Sequence, residues 1–283
     1  MLVPGASSQA LAAALASELG ESLAAVEYDT FPDGETLAAV PGFDADTATI
    51  VASTASNDAY IELLQLQDAV REAGAREVTT VIPYMGYARQ DKAFEVGHPI
   101  SARAVARAVS TTTDRVVLVN PHEDAIADFF DVPVEIVDAA GRLAEPLPEL
   151  HDPLFLSPDS GAIDIANTVR DAYGDGETDY FEKVRKSGTE VEITPSETDF
   201  DGRDVVITDD IIATGSTMSE AVAVLTEGGA NRVFCATVHP LLARNARTKL
   251  CRAGIERVVG TDTIEREVSA VSVAPAVADV LER

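Results

Sequence analysis

Short apolar runs alternate along this chain with longer segments in which apolar residues recur at helical spacing. The runs at 48–53, 77–83, 116–120, 134–137, 154–157, 205–208, 233–238 and 258–260 predict strands. Between them, 59–73, 100–110, 162–173 and 218–228 carry the helical pattern. Residues 11–19 predict an Ala-rich first helix capped by Ser7 and Ser8; no basic segment leads it, so it does not have the form of a signal peptide. Strand and helix in alternation predict an α/β protein of parallel sheets flanked by helices, with ligands beyond the carboxyl ends of the strands.

Two breaks interrupt the alternation. Pro146, Pro148 and Pro153 fall within 140–153, which places a domain boundary there: 1–142 and 143–283. The stretch 174–198, with Gly174, Gly176 and Gly188 and little apolar periodicity, reads as a long functional or mobile loop. A length of 283 residues suits two α/β domains of ordinary size, and 46% apolar residues is ample for two cores.

Charge narrows the function class. Forty-eight acidic residues against 21 basic give a net charge of −27, which argues against a nucleic-acid surface and against docking on anionic lipid. The acid is spread along the chain, and the lysines are only Lys92, Lys183, Lys186 and Lys249. A diffuse carboxylate coat of this kind fits concentrated salt, where the Debye length falls to about 3 Å at 1 M and self-repulsion is screened. A halophile's cytoplasm is the expected setting. Cys235 and Cys251 are too few and too unpatterned for a disulfide framework or a zinc site, and no apolar run approaches the roughly 20 residues that span a bilayer.

The most informative segment is Val205-Val206-Ile207-Thr208-Asp209-Asp210-Ile211-Ile212-Ala213-Thr214-Gly215-Ser216-Thr217. A buried strand ends in two carboxylates, and a small-residue loop leads into a helix. Backbone N–H groups of such a loop, with the helix N-terminus behind them, form an anion site for a phosphate ester. Thr214 and Thr217 add hydroxyl donors, and Gly215 permits close approach. Asp209 and Asp210 stand where they accept hydrogen bonds from sugar hydroxyls or hold a hydrated Mg²⁺. A Gly-containing turn with capping aspartates is the plain alternative. The run of two acids, two apolar residues and Ala-Thr-Gly-Ser-Thr is far more specific than that. It resembles the phosphoribosyl-diphosphate motif shared by phosphoribosyltransferases and ribose-phosphate diphosphokinases, with Ser216 where the family usually has a second Gly.

Five further segments choose between those two activities. Phe31-Pro32-Asp33-Gly34-Glu35, read alone, is a Pro-Asp-Gly turn. Pro83-Tyr84-Met85-Gly86-Tyr87-Ala88-Arg89-Gln90-Asp91 carries an Arg whose planar fork suits phosphate oxygens. Asn120-Pro121-His122-Glu123-Asp124 and Ser157-Pro158-Asp159-Ser160-Gly161 each follow a predicted strand. Glu182-Lys183-Val184-Arg185-Lys186 places three bases within four residues of an acidic chain, either a solvated cluster paired with acids such as Glu182 and Glu190 or a source of cations for a phosphoryl-type transition state.

With these segments the chain resembles the ribose-phosphate diphosphokinases of the archaeal type over nearly its whole length. The resemblance implies two similar phosphoribosyltransferase-type domains, each a mainly parallel sheet flanked by helices: an N-terminal ATP-binding domain and a C-terminal ribose-5-phosphate-binding domain. It implies Lys183 and Arg185 as the catalytic pair and Asp33, Glu35, Arg89 and Gln90 as ATP ligands. Ribose 5-phosphate falls to Arg185, Asp209, Asp210, Ala213, Thr214, Gly215, Ser216 and Thr217. His122, often through water, and Asp159 fall to Mg²⁺. In that family the acids of the 31–35 segment come from a neighbouring subunit, so the resemblance implies a homo-oligomer with a shared ATP site. Asn120 replaces the acid usual before the His. A phosphoribosyltransferase would need neither the Arg89-Gln90 segment nor the additional N-terminal domain. A non-catalytic relative should have lost Lys183, Arg185, His122 or Asp159, all of which are present.

Overall fold

The computed structural model describes residues 1–185, 191–195 and 198–283, with the backbone alone at 182–185 and 191–195. The chain forms two compact units: residues 1–138 with 262–265 and 272–283, and residues 139–261 with 266–271.

The first unit runs β1 (Leu2–Pro4), α1 (Gln9–Leu19), the hairpin β2 (Glu27–Thr30) and β3 (Thr36–Ala39), β4 (Thr47–Val51), α2 (Asn57–Glu72), β5 (Glu77–Ile82), α3 (Ser101–Val109), β6 (Arg115–Val119) and β7 (Val134–Val137). Its five-stranded sheet, in the order β1-β4-β5-β6-β7, is parallel throughout. Strands covered on both faces need apolar residues at successive positions, which is why they read as continuous runs. α2 buries Leu63, Leu66, Gln67 and Val70, and α3 buries Ala102, Val105, Ala106 and Val109. Both sets have the i, i+3, i+4, i+7 spacing that puts four side chains on one helical face. The Ser56 hydroxyl caps α2 by accepting from the Ala59 N–H at 3.1 Å.

The second unit runs β8 (Leu154–Ser157), α4 (Ile163–Tyr173), β9 (Glu177–Arg185), β10 (Val191–Pro195), β11 (Asp204–Ile211), α5 (Ser216–Glu227), β12 (Arg232–His239), α6 (Ala246–Ala253), β13 (Arg257–Thr261) and β14 (Ser269–Val271). The seven strands stand in the order β10-β9-β8-β11-β12-β13-β14, with β10 antiparallel to β9 and all other neighbours parallel. α5 repeats the four-residue face of α2 and α3 with Met218, Ala221, Val222 and Leu225. The last helix, α7 (Ala274–Leu281), belongs to the first unit.

Three sequence expectations change here. The first concerns residues 174–198: 177–185 and 191–195 form an antiparallel pair, with Lys183 opposite Ile193 and Arg185 opposite Val191, where a long functional or mobile loop was expected. Alternating polar residues hid these strands because an edge hairpin needs no continuous apolar run. Lys186, Gly188 and Glu190 lie outside the described residues. Secondly, the compact units divide at 138/139 where the proline-rich stretch had suggested 142/143, and the chain after β13 returns to the first unit. The return is held by the Arg115 guanidinium donating to the Val280 carbonyl at 2.9 Å and by Val277, Ala278 and Val280 buried on α7. Finally, Ser7 and Ser8 do not cap α1 with their side chains. The Ser8 hydroxyl accepts from the Ser53 N–H and that of Ser7 donates to the Ser53 carbonyl, while the Glu265 carboxylate takes the N–H groups of Ala10 and Leu11 at 2.7 and 3.1 Å. A carboxylate at a helix start offsets the dipole better than a hydroxyl, and this one comes from 255 residues away.

A buried ion pair anchors the start of β11. The fully buried Asp204 accepts from the guanidinium of Arg232, from the Asn231 amide at 2.8 Å and from the His151 N–H at 2.7 Å. Burial works against ionisation, but these donors outweigh it and hold the carboxyl below the usual range. Such a depressed pKa stabilises the fold above the ordinary carboxylate pKa, and the benefit is lost as pH falls through the folded value. Asp204→Ala is expected to cost about 3 kcal/mol at pH 7 in denaturant unfolding, with the difference shrinking on acidification. The Arg232 side chain remains 34% exposed, so the loss falls at the low end for a broken buried pair.

Candidate active site

The C-terminal ends of β8 and β11, neighbours in the second sheet, present the densest chemistry. Asp159 follows β8, and Asp209 and Asp210 lie in the last turns of β11, where the burial pattern opens from fully buried to half-buried. The Asp209 carboxylate accepts the Asp210 N–H at 3.0 Å, and the Thr237 hydroxyl of β12 donates to the Asp210 carbonyl at 3.2 Å. Asp159 caps a short 3-10 turn by accepting from Gly161 N–H at 3.0 Å. Burial, then repulsion from Asp210, with a further push from Asp159, raises the Asp209 pKa well above the carboxylate range. Three acidic side chains thus share one electrostatic neighbourhood that a bound cation or sugar hydroxyls would relieve.

The loop beyond them is strapped in place by backbone hydrogen bonds. Ile212 N–H donates to the His239 carbonyl at 3.2 Å, while Leu242 and Ala243 N–H donate to the carbonyls of Ile212 and Ala213, both at 2.8 Å. Gly215 stands at the N-cap of α5 with φ +69°, and a Cβ there would lie 3.2 Å from the backbone of Ala246. A left-handed backbone against a neighbouring chain admits glycine alone without strain. Ser216 opens α5 and has no positive φ, so the replacement of a glycine at this position imposes no backbone penalty. No side chain caps the helix start. Its first N–H groups therefore face outward beside Thr214 and Thr217, both exposed, as a phosphate ester requires.

Sequence reasoning missed one member of this neighbourhood. Lys249, on α6, donates to the Ser216 hydroxyl at 2.7 Å and to the Thr214 carbonyl at 3.3 Å. It is one of four lysines in the chain, but nothing local links position 249 to a loop more than thirty residues earlier.

Lys183 and Arg185 are two apart on β9, so their positions share one face of that strand. β9 pairs with β8 up to Ser157 opposite Tyr180 and then runs on with β10 alone. Its last five residues overhang the C-terminal edge by roughly 16 Å at strand spacing. That is the edge from which Asp159, Asp209 and Asp210 emerge.

In the first unit, Arg89 and Gln90 follow β5, and His122 follows β6. These strands are neighbours, so the two segments leave the same edge of the first sheet. Gly86 is required by close approach: a Cβ there would lie 2.1 Å from the Thr54 carbonyl oxygen. Arg89 is exposed and has no hydrogen-bond or ion-pair partner among the described residues. Gln90 is engaged at both ends of its amide, donating to the Pro99 carbonyl at 3.1 Å and accepting from the Ser101 hydroxyl at 2.7 Å. His122 is exposed, and Asn120, at φ +37°, donates to Asp138 at 2.8 Å. Asp33 and Glu35 sit in the exposed turn joining β2 to β3, closed by the Phe31 N–H donating to the Glu35 carbonyl at 2.7 Å.

Comparison with known proteins places both units in one family. Residues 1–112 match the model of the N-terminal domain of ribose phosphate pyrophosphokinase, and residues 132–275 match the phosphoribosyl transferase domain. A ribose-phosphate pyrophosphokinase of Halobacterium salinarum is 64% identical over 99% of this chain and 100% of its own length, which fits the expectation of a halophile's protein. The enzyme of the same name from Methanopyrus kandleri is 45% identical, covering 95% of this chain and 94% of its own. The crystal structure of phosphoribosylpyrophosphate synthetase from Mycobacterium smegmatis superposes with a TM-score of 0.85 at 31% identity, covering 100% of this chain and 97% of that one. Among the described residues no helix is long and apolar enough to cross a membrane.

Proposed function

Because the chain belongs to the ribose-phosphate pyrophosphokinase family, we propose that its second unit holds ribose 5-phosphate on the 213–217 loop and its first unit holds ATP through Arg89. The enzyme transfers the diphosphate of ATP to ribose 5-phosphate, giving 5-phosphoribosyl 1-diphosphate and AMP. The observation that carries the assignment is the Gly215 loop at the uncapped start of α5, directly after the half-buried Asp209 and Asp210.

In this reading the 5-phosphate takes the N–H groups at the start of α5 with Thr214 and Thr217, beside Ala213, Gly215 and Ser216. Asp209 and Asp210 accept hydrogen bonds from the ribose hydroxyls and so aim the anomeric oxygen. That oxygen forms a bond to the β-phosphorus of ATP. The bond from the β-phosphorus to the oxygen shared with the α-phosphorus breaks, AMP leaves with the electron pair, and the hydroxyl proton passes to solvent. No covalent enzyme intermediate is needed, so positioning and charge neutralisation supply the acceleration. Lys183 and Arg185, on the overhanging strand, supply cations to the transferring oxygens, and Arg185 also meets ribose 5-phosphate.

Gln90, whose amide keeps a second N–H and a second oxygen lone pair beyond its bonds to Pro99 and Ser101, meets ATP beside Arg89. Asp33 and Glu35 read the adenine of ATP bound to a second copy, as an exposed hairpin turn permits. A homo-oligomer with a shared ATP site follows. Mg²⁺ fits the donor set: mutually repelling carboxylates are hard oxygen ligands, and no three His, Cys, Asp or Glu side chains among the described residues form a cage of their own. An ion that keeps several waters and leans on substrate phosphates needs no such cage. Asp159 of the second unit and, through water, His122 of the first are each proposed as contacts for Mg²⁺, which would neutralise diphosphate charge.

Mixing the protein with Mg²⁺, ATP and ribose 5-phosphate is expected to release AMP in step with ribose 5-phosphate consumption, followed by nucleotide chromatography. Release of ADP, or no nucleotide turnover, would contradict the reading.

A further inference from the structure

We propose that Lys249 is a substrate-binding residue that holds the 5-phosphate from outside the 213–217 loop, its ammonium aimed by Ser216. The inference rests on the reading of that loop as the ribose 5-phosphate cradle. It adds a cation that the loop segment itself lacks.

The placement is built by packing. The first turn of α6 lies against Gly215, where a Cβ would stand 3.2 Å from Ala246. Leu242 and Ala243 are hydrogen-bonded to Ile212 and Ala213 just ahead of the loop. Lys249 stands three residues beyond Ala246, on the same side of the helix, so its stem starts beside the cradle. Its ammonium has three donors. Two are taken by the Ser216 hydroxyl at 2.7 Å and the Thr214 carbonyl at 3.3 Å, and the third has no protein acceptor among the described residues.

Charge supplies the reason for a lysine here. A phosphate dianion entering this loop meets Asp209 and Asp210 at its base, in a chain of net charge −27. The neutral N–H and hydroxyl donors of the loop offset part of that repulsion. A point cation on Ser216, the first residue of the helix, adds a charge-assisted hydrogen bond, roughly twice the strength of a neutral one. Ser216 holds the flexible lysine side chain near its bound position, so less rotamer freedom is lost when the phosphate arrives.

The test compares Lys249→Ala, Lys249→Gln and Lys249→Arg in the full-length protein. Thermal unfolding serves as the check on folding, since Lys249 is only partly buried and alanine suits a helix at least as well as lysine. Lys249→Ala is expected to raise the KM for ribose 5-phosphate about tenfold, the size of one lost charge-assisted contact, with the KM for ATP within about twofold. Calorimetric titration with ribose 5-phosphate and with unphosphorylated ribose should show the loss for the phosphorylated sugar alone. Arginine should recover most of the affinity, whereas glutamine, which keeps hydrogen-bond donors without charge, should not. Equal recovery by glutamine would mean that Lys249 only tethers the loop, and an unchanged ribose 5-phosphate affinity in Lys249→Ala would mean that it does not act at all; either overturns the proposal. Thr217→Val separates this failure from failure of the cradle. If it weakens ribose 5-phosphate while Lys249→Ala does not, the cradle stands and the lysine falls; if neither does, the cradle reading falls with it.

Discussion

Lys183→Ala is expected to lower kcat about a thousandfold while leaving the Kd for ATP within about twofold. In a diphosphate transfer the equatorial oxygens of the migrating group gain importance only as bonds rearrange. A cation that meets them there stabilises the transition state and hardly touches the ground state. Position 183 fits that role because β9 carries it past the end of β8, toward the edge from which Asp159, Asp209 and Asp210 emerge. Single-turnover kinetics and equilibrium titration with ATP read the two quantities separately. A collapse of ATP affinity would make Lys183 a ground-state ligand and remove it from the catalytic pair.

Asp209→Asn should do two things at once. The KM for ribose 5-phosphate is expected to rise tenfold or more, about 1.4 kcal/mol per decade, with a much smaller change for ATP. Equal losses for both substrates would overturn the assignment to the ribose hydroxyls. The same substitution should stabilise the fold. Burial and the charges of Asp210 and Asp159 raise the folded pKa of Asp209, so the native state keeps a proton that the unfolded chain releases near pH 4. Whatever Asp209 contributes to stability is therefore fully present below the unfolded pKa and is lost as pH rises through the folded one. Asparagine does not titrate. Its advantage should be absent at pH 4 or below and reach about 0.5–2 kcal/mol at neutral pH without Mg²⁺ or substrate, measured by denaturant unfolding. An active-site carboxylate that destabilises its own fold is the expected mark of a group kept for binding.

Much of this site is legible in the sequence because its parts are contiguous. Asp209 to Thr217 run through a strand end, a loop and a helix start, and each residue type carries its own backbone requirement. The α2, α3 and α5 faces are legible for the same kind of reason: apolar positions at helical spacing, four in α3 and α5 and three beside Gln67 in α2, predict a buried stripe without knowledge of its partner. β1, β2, β3 and β14, each three or four residues long, escape such reading. β9 and β10 escape it through their polar alternation at a sheet edge.

The order of residues was enough to determine the α/β class, the parallel strands, the small-residue loop between β11 and α5 and the acidic surface, because hydrophobic period and turn chemistry act between near neighbours. Only the tertiary structure decided that α7 returns to the first unit, that Glu265 caps α1, that Asp159 presses on Asp209, and that Lys249 reaches Ser216. Those outcomes depend on contacts between segments far apart in the chain. Coulombic and hydrogen-bond energies fall off with distance in space, and separation along the backbone does not encode that distance.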